Sequence, residues 1–278
     1  MSTVRTFLDE HFHHFNAREV VAAARAWEAH RDAGGKMLVS LAGAMSTARL
    51  GKILSRLIEQ DWVHAISCTG ANLEEDVFNL VAGNDYEIIK DWRALSAQDE
   101  QDLYDRGMNR VTDTCIPETV MRHLEERLLA RWKAAVDAGA SKLPSEHLMD
   151  VLADESLHPL LHRSLSESWL WAARKKGIPV YTPGCEDSTT GNMFAAAVYR
   201  EELPHHGAVL HGTAQMTHLM RWYQQANASV GFFQVGGGIA GDFAICAVPT
   251  LIQDLRLSIL QLRACVWCCW LHPAAHFM

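Results

Sequence analysis

Four short loops concentrate the residues that can do chemistry in this sequence: Ala42-Gly-Ala-Met-Ser46, Thr69-Gly-Ala-Asn72, Pro183-Gly-Cys-Glu-Asp-Ser-Thr-Thr-Gly191 and Gly236-Gly-Gly-Ile-Ala-Gly241. Each follows a short apolar run. Small residues in such a place let backbone amides approach a phosphate at a helix N-terminus, so a nucleotide-like ligand is the leading reading. Gly236, Gly238 and Gly241 also satisfy G-x-G-x-x-G, between an apolar run at 229–235 and a helical stretch at 243–251 that contains Pro249. A tight strand-to-helix turn with no ligand produces the same spacing.

Acidic groups lie next to two of these loops. Glu74, Glu75 and Asp76 form a run at an expected helix start, where the helix dipole favours negative charge by about a few tenths of a kcal/mol. Directly after Thr69-Gly70-Ala71, the same side chains can take ribose hydroxyls or a substrate amine. Glu186 and Asp187 occupy a similar loop, so two acidic groups from two loops could hold a polyamine. Other chemistries have less support. The fifteen histidines lack H-E-x-x-H spacing, and Cys265, Cys268 and Cys269 form one C-x-x-C without a second pair, so no metal is expected. Ser40, Ser46 and Ser188 lack a G-x-S-x-G setting, and Cys185 has no base that the sequence places beside it.

The elements that must position these loops alternate. Apolar runs at 36–41, 62–68, 178–182, 208–211 and 229–235 read as strands, and stretches at 17–30, 47–60, 74–82, 118–138, 164–176 and 213–227 as helices. In the fourth helix Val120, Leu124, Leu128 and Trp132 make one apolar stripe. The expected fold is α/β and Rossmann-like, a mostly parallel sheet with helices on both faces, in one domain over 1–255 followed by a tail at 256–278. The formal net charge of −8 argues against a nucleic-acid partner. No apolar run reaches the 18 residues a membrane span needs, and no signal-peptide pattern opens the chain, so a cytoplasmic, membrane-free protein is expected.

Taken in order, the loops resemble the deoxyhypusine synthase family, including its bacterial and homospermidine-synthase-type members. The resemblance rests on Ser40-Leu-Ala-Gly-Ala-Met-Ser46, Cys68-Thr-Gly-Ala-Asn-Leu-Glu-Glu-Asp76, Asn84-Asp-Tyr-Glu-Ile-Ile-Lys-Asp-Trp92, Tyr181-Thr-Pro-Gly-Cys-Glu-Asp-Ser-Thr-Thr-Gly-Asn-Met193 and Val235-Gly-Gly-Gly-Ile239. It implies an NAD-binding fold of that family and an NAD-dependent transfer of a 4-aminobutyl group from spermidine. The acceptor would be a small polyamine or a protein lysine of the hypusine-bearing translation factor. It also implies a homotetramer with sites between subunits. By position, the cofactor residues would be Ser40, Leu41, Ala42, Gly43, Ala44, Thr69, Gly70, Ala71, Glu75, Asp187 and Gly237. The polyamine would meet Glu74, Glu75, Asn192 and Asp242.

The departures from the family are as informative. Asn192 stands where eukaryotic members have an aspartate, and Gly241-Asp242 where they have Lys-His. The family's imine-forming lysine has no counterpart, because the seven lysines lie at 36, 52, 90, 133, 142, 175 and 176. The catalytic residue is therefore unassigned, and a catalytically inactive subunit supporting an active paralogue is the alternative reading. Residues 256–278, with three cysteines and two tryptophans within six positions, resemble nothing in the family. A shifted reading frame would produce such a tail, exposing Cys265 and Trp267 and loosening the bound cofactor. A divergent edge strand is the other possibility.

Overall fold

The computed structural model describes residues 3–257 and the backbone of 268–271. Two amphipathic helices, α1 (Thr3–His11) and α2 (Phe15–Asp32), precede the first strand, β1 (Lys36–Leu41). A 3-10 turn and α3 (Gly51–Glu59) lead to β2 (Ala65–Cys68), followed by α4 (Gly70–Ala82). A small antiparallel sheet comes next. It is made from β3 (Glu87–Ile88), β4 (Met108–Val111) and β5 (Thr114–Pro117), with α5 (Ala97–Asp105) packed on β4. Helices α6 (Glu118–Asp137), α7 (Pro144–Leu152) and α8 (Trp169–Lys176) return the chain to β6 (Val180–Tyr181). The last described elements are α9 (Thr189–Tyr199), α10 (Gly212–Gln225), β7 (Val230–Val235), α11 (Ile239–Gln253) and the edge strand β8 (Cys268–Leu271).

The main sheet has the order β6-β2-β1-β7-β8 and every pairing in it is parallel. β1 is buried on both faces, as a central parallel strand requires. Val39, Leu41, Ile66 and Val180 face a core built with α3, α4, α6, α7 and α8. Leu38, Ala65, Tyr181, Val230 and Phe232 face a second core with α10 and α11. The expected stripe Val120, Leu124, Leu128 and Trp132 is buried on α6. None of the described helices is long and apolar enough to cross a membrane.

Two local expectations need correction. Residues 208–211 form no strand; only Val209 bridges, to Lys142, because Lys142 N and Leu210 N close a two-bond clasp with the carbonyls of Ala208 and Lys142. α4 begins at Gly70 rather than Glu74, since Thr69 Oγ1 caps it through the Asn72 amide. In the stretch 87–117, for which the sequence suggested no element, β3, β4 and β5 pair antiparallel. Residues 258–267 and 272–278, including Cys265 and Trp267, lie outside the described residues. The backbone of 268–271 runs parallel to β7, in the manner of the edge-strand alternative.

Candidate functional site

Because all main-sheet strands are parallel, the loops after β1, β2, β6 and β7 leave from one edge. The chain moves from β1 outward to β2 and β6, then crosses to the opposite side of β1 for β7. This reversal puts a topological switch point between the carboxyl ends of β1 and β7, where open α/β sheets bind ligands.

The four loops close on one another in a ring. Thr69 Oγ1 donates to the Gly43 carbonyl at 2.5 Å. A Cβ on Gly70 would lie 2.3 Å from Ser188 Cβ, one on Gly184 would lie 2.9 Å from Ile239 Cδ1, and one on Gly236 would lie 2.8 Å from Ala42 Cβ. Gly236 additionally has φ +79°, so any side chain there is both strained and obstructed. The G-x-G-x-x-G spacing thus has the strand-turn-helix setting it requires, with Gly238 at the N-cap of α11, and α11 continues past Pro249. Three helix N-termini, of α4, α9 and α11, stand at this edge, capped by Thr69, Ser188 and Gly238. We expect Gly70→Ala to destabilise the protein by about 1–3 kcal/mol in denaturant unfolding through overpacking against Ser188. Unchanged stability would show that the two loops are not in contact.

The hub of the ring is Asn72, fully buried. Its Nδ2 lies 3.0 Å from the Ala42 carbonyl, 2.8 Å from that of Gly43 and 2.9 Å from Thr69 Oγ1, while its Oδ1 accepts the Ser46 amide at 3.0 Å. Among the ligand-binding assignments made from sequence, Asn72 had no role. The signal was its place in Thr69-Gly-Ala-Asn72, where an amide can answer both amides and carbonyls.

The acidic run is buried in the second turn of α4, so its charge does not serve the dipole of its own helix. Successive residues point about 100° apart, and each carboxylate meets a different neighbour. Glu74 accepts the amides of Thr189 and Thr190 at 3.1 and 2.8 Å, capping α9. Asp76 accepts Ser168 Oγ at 2.5 Å and the Leu170 amide at 3.1 Å, capping α8. Glu75, only 5% exposed, has an Oε2 with no partner, and the buried Thr47 Oγ1 and Tyr86 hydroxyl are likewise unpaired. Burial, reinforced by the Glu74 charge, pushes Glu75 up to about 8 against one opposing Thr47 amide bond. Burial also raises Glu74, and raises Asp76 to about 7.

The other sequence-derived candidates are more scattered. Ser40 and Leu41 are buried at the end of β1, and Ala42, Gly43 and Ala44 form the loop beyond them. Ser40 Oγ and, in register on β7, Gln234 Oε1 are buried without partners. Thr69, Gly70 and Ala71 open α4, and Gly237 is half-buried in the β7 loop. Asp187, Asn192 and Asp242 are exposed on the rim and share no hydrogen bond with Glu74 or Glu75. Cys185 does have a basic neighbour, since His211 Nδ1 lies 3.4 Å from its Sγ. Burial and the adjacent Glu186 push this thiol up to about 11, so it is a neutral group.

A family model described as deoxyhypusine synthase matches residues 10–264. A "Deoxyhypusine synthase-like protein" of Chlorobaculum parvum is 22% identical over 231 residues, covering 82% of this chain and 62% of that one. "Probable deoxyhypusine synthase 1" of Methanosarcina acetivorans is 28% identical over 211 residues, covering 74% and 58%. A solved structure from Entamoeba histolytica, provisionally described as a deoxyhypusine synthase, aligns at a TM-score of 0.48 and 13% identity over 73% of this chain and 58% of that one. The chain thus spans about three-fifths of the length of these relatives.

Proposed function

The chain belongs to the deoxyhypusine synthase family, and on that premise we propose that it binds NAD and a polyamine and serves transfer of the 4-aminobutyl group of spermidine to an acceptor amine. The observation that carries this reading is the crevice at the switch point. Four loops and three helix N-termini meet there, with the half-satisfied carboxylate of Glu75, whose Oε2 has no partner, in the neighbouring helix turn. Ser40 Oγ and Gln234 Oε1, both orphaned at adjacent strand ends, fit a polar dinucleotide. Residues 40–44, 69–71, Asp187 and Gly237 would hold it, with Glu75 between cofactor and amine. When bound, NAD supplies a hydride acceptor and donor, which makes the net transfer redox-neutral.

The chain's own residues define the amine site. A buried carboxyl raised to about 8 is mostly protonated at neutral pH, and an ammonium group beside it favours ionisation. The charge-assisted pair forms away from bulk water, which favours a cation over a neutral ligand. Glu74, already accepting two amides, positions α9 and with it Asn192 on the rim. The acceptor stays open between a small polyamine and a protein lysine, and the assembly, a homotetramer in our reading, rests on family resemblance alone.

The described lysines do not supply an imine-forming amine at this edge. Lys36 begins β1 at the opposite end, Lys52, Lys142, Lys175 and Lys176 are paired with Glu167, Asp150, Glu59 and Asp61, and the exposed Lys90 and Lys133 lie after β3 and on α6, outside the four loops. This favours a second reading, in which the chain works as a subunit alongside a paralogue that carries the lysine. In calorimetry we expect NAD to bind the native chain and not Gly237→Val. Spermidine should raise the thermal midpoint in the presence of NAD, and Glu75→Gln should abolish that rise. Failure of both ligands to stabilise the native protein would overturn the reading. Borohydride trapping with labelled spermidine and NAD separates the two versions: a lysine adduct on this chain alone marks a self-sufficient enzyme, and its appearance only on an added paralogue marks the subunit.

A further inference from the structure

Within the ring, the loop between β6 and α9 turns Cys185 and Glu186 toward His211, the N-cap residue of α10. Cys185 Sγ lies 3.4 Å from His211 Nδ1 and 3.8 Å from Glu186 Oε2, and the three donor atoms lie within 4.8 Å of one another. A tetrahedral zinc with Zn–S about 2.3 Å and Zn–N or Zn–O about 2.1 Å places its ligand atoms about 3.6 Å apart. The observed spacings bracket that value, so a cation would need little rearrangement. The imidazole is uncommitted elsewhere: His211 Nε2 is buried with no partner, and the ring leans on Phe194 at 5.9 Å.

We propose that Cys185, Glu186 and His211 form a binding site for a zinc-class divalent cation. A thiolate, an imidazole and a carboxylate suit a borderline metal, whereas magnesium and calcium prefer all-oxygen sets. Three protein ligands leave a fourth position, and here it opens on a cavity of about 200 Å³ walled by Leu128, Trp132, Leu148 and Phe194. A site of that kind holds a water or a small ligand rather than a closed structural metal. Sequence spacing did not reveal it, because Cys185-Glu186 and His211 come from different loops and form no recognised motif. The site shares a loop with the proposed NAD and polyamine site but does not rest on that reading, and it is tested without either ligand.

The experiment is a titration of the full-length chain, first dialysed against a chelator, with cobalt(II) alone as the spectroscopic probe. One equivalent should develop a thiolate-to-cobalt charge-transfer band and intense visible bands of a tetrahedral centre, both displaced by zinc. Cys185→Ser should abolish the charge-transfer band, and Glu186→Gln, an exposed side chain not needed for folding, should weaken cobalt binding at least tenfold. Circular dichroism checks that both variants are folded; should Cys185→Ser fail to fold, Glu186→Gln decides. An unchanged spectrum in folded Cys185→Ser, unchanged affinity in Glu186→Gln, or no saturable band in the native protein overturns the proposal.

Discussion

Asn72→Ala is expected to lower stability by about 3 kcal/mol and to weaken NAD binding by at least about tenfold. The side chain is wholly buried, and its amide ties the loop after β1 to the first turn of α4. Truncation leaves the Ser46 N–H and the Ala42 carbonyl without these partners, while the Gly43 carbonyl keeps Thr69 Oγ1. Each unsatisfied buried group costs about 1–3 kcal/mol, while the methyl group left behind recovers little. Asn72→Asp should be no better, because it turns a donor that faces carbonyls into a second acceptor. Urea unfolding gives the stability change and calorimetry the affinity. A loss under 1 kcal/mol in Asn72→Ala would mean that the ring of loops does not depend on this amide.

A second large effect is expected from pH. Glu75 has a folded pKa of about 8, above its ordinary value, so the native state holds a proton that the unfolded chain has released. Its contribution is complete below the unfolded pKa and disappears as pH rises through 8; between pH 7 and 9 the native protein should lose about 1.4 kcal/mol. Glu74 and Asp76 are raised in the same sense, Asp76 to about 7, and extend the decline to lower pH. Below about 6.5 it is opposed by His64, His147 and His211, which burial holds below the usual imidazole value and which destabilise the fold when they must charge. The window from pH 7 to 9 therefore contains the Glu75 titration, and comparison with Glu75→Gln separates its share. In Glu75→Gln the decline across it should shrink to the part contributed by Asp76 and Glu74 and, toward pH 9, by the thiols of Cys68, Cys115 and Cys185, which burial holds above their ordinary value. If the amine reading holds, saturating spermidine should flatten the native curve in the same way and leave the variant unaffected. A native protein with constant stability from pH 7 to 9 would refute the burial of an unpaired carboxyl at this position.

Much of the site was legible before any coordinates. The loops after β1, β2, β6 and β7 were recognisable because Gly, Ala, Thr and Ser interrupt apolar runs, and backbone geometry restricts such turns to few residue types. The stripe on α6 was equally plain, since a period near 3.6 over twenty residues has no competing explanation. The acidic run was seen, but the distinct task of each member was not. One-dimensional spacing says that Glu74, Glu75 and Asp76 share a helix; it does not say that α8 and α9 bring their N-termini against two of them.

The same division runs through the whole protein. Local chemistry along the chain determined the α/β class, the parallel strands, the small-residue loops and the family, because turn residues and hydrophobic period act within a few positions of one another. Tertiary structure alone decided the order β6-β2-β1-β7-β8, and with it the switch point at which loops from residues 42 and 236 meet. It also decided that Glu74 and Asp76 are caps while one oxygen of Glu75 is left without a partner, and that His211 stands 3.4 Å from Cys185. These outcomes depend on contacts between residues more than twenty positions apart. Whether a carboxylate is charged, neutral or paired is set by the water and donors that such contacts remove or supply.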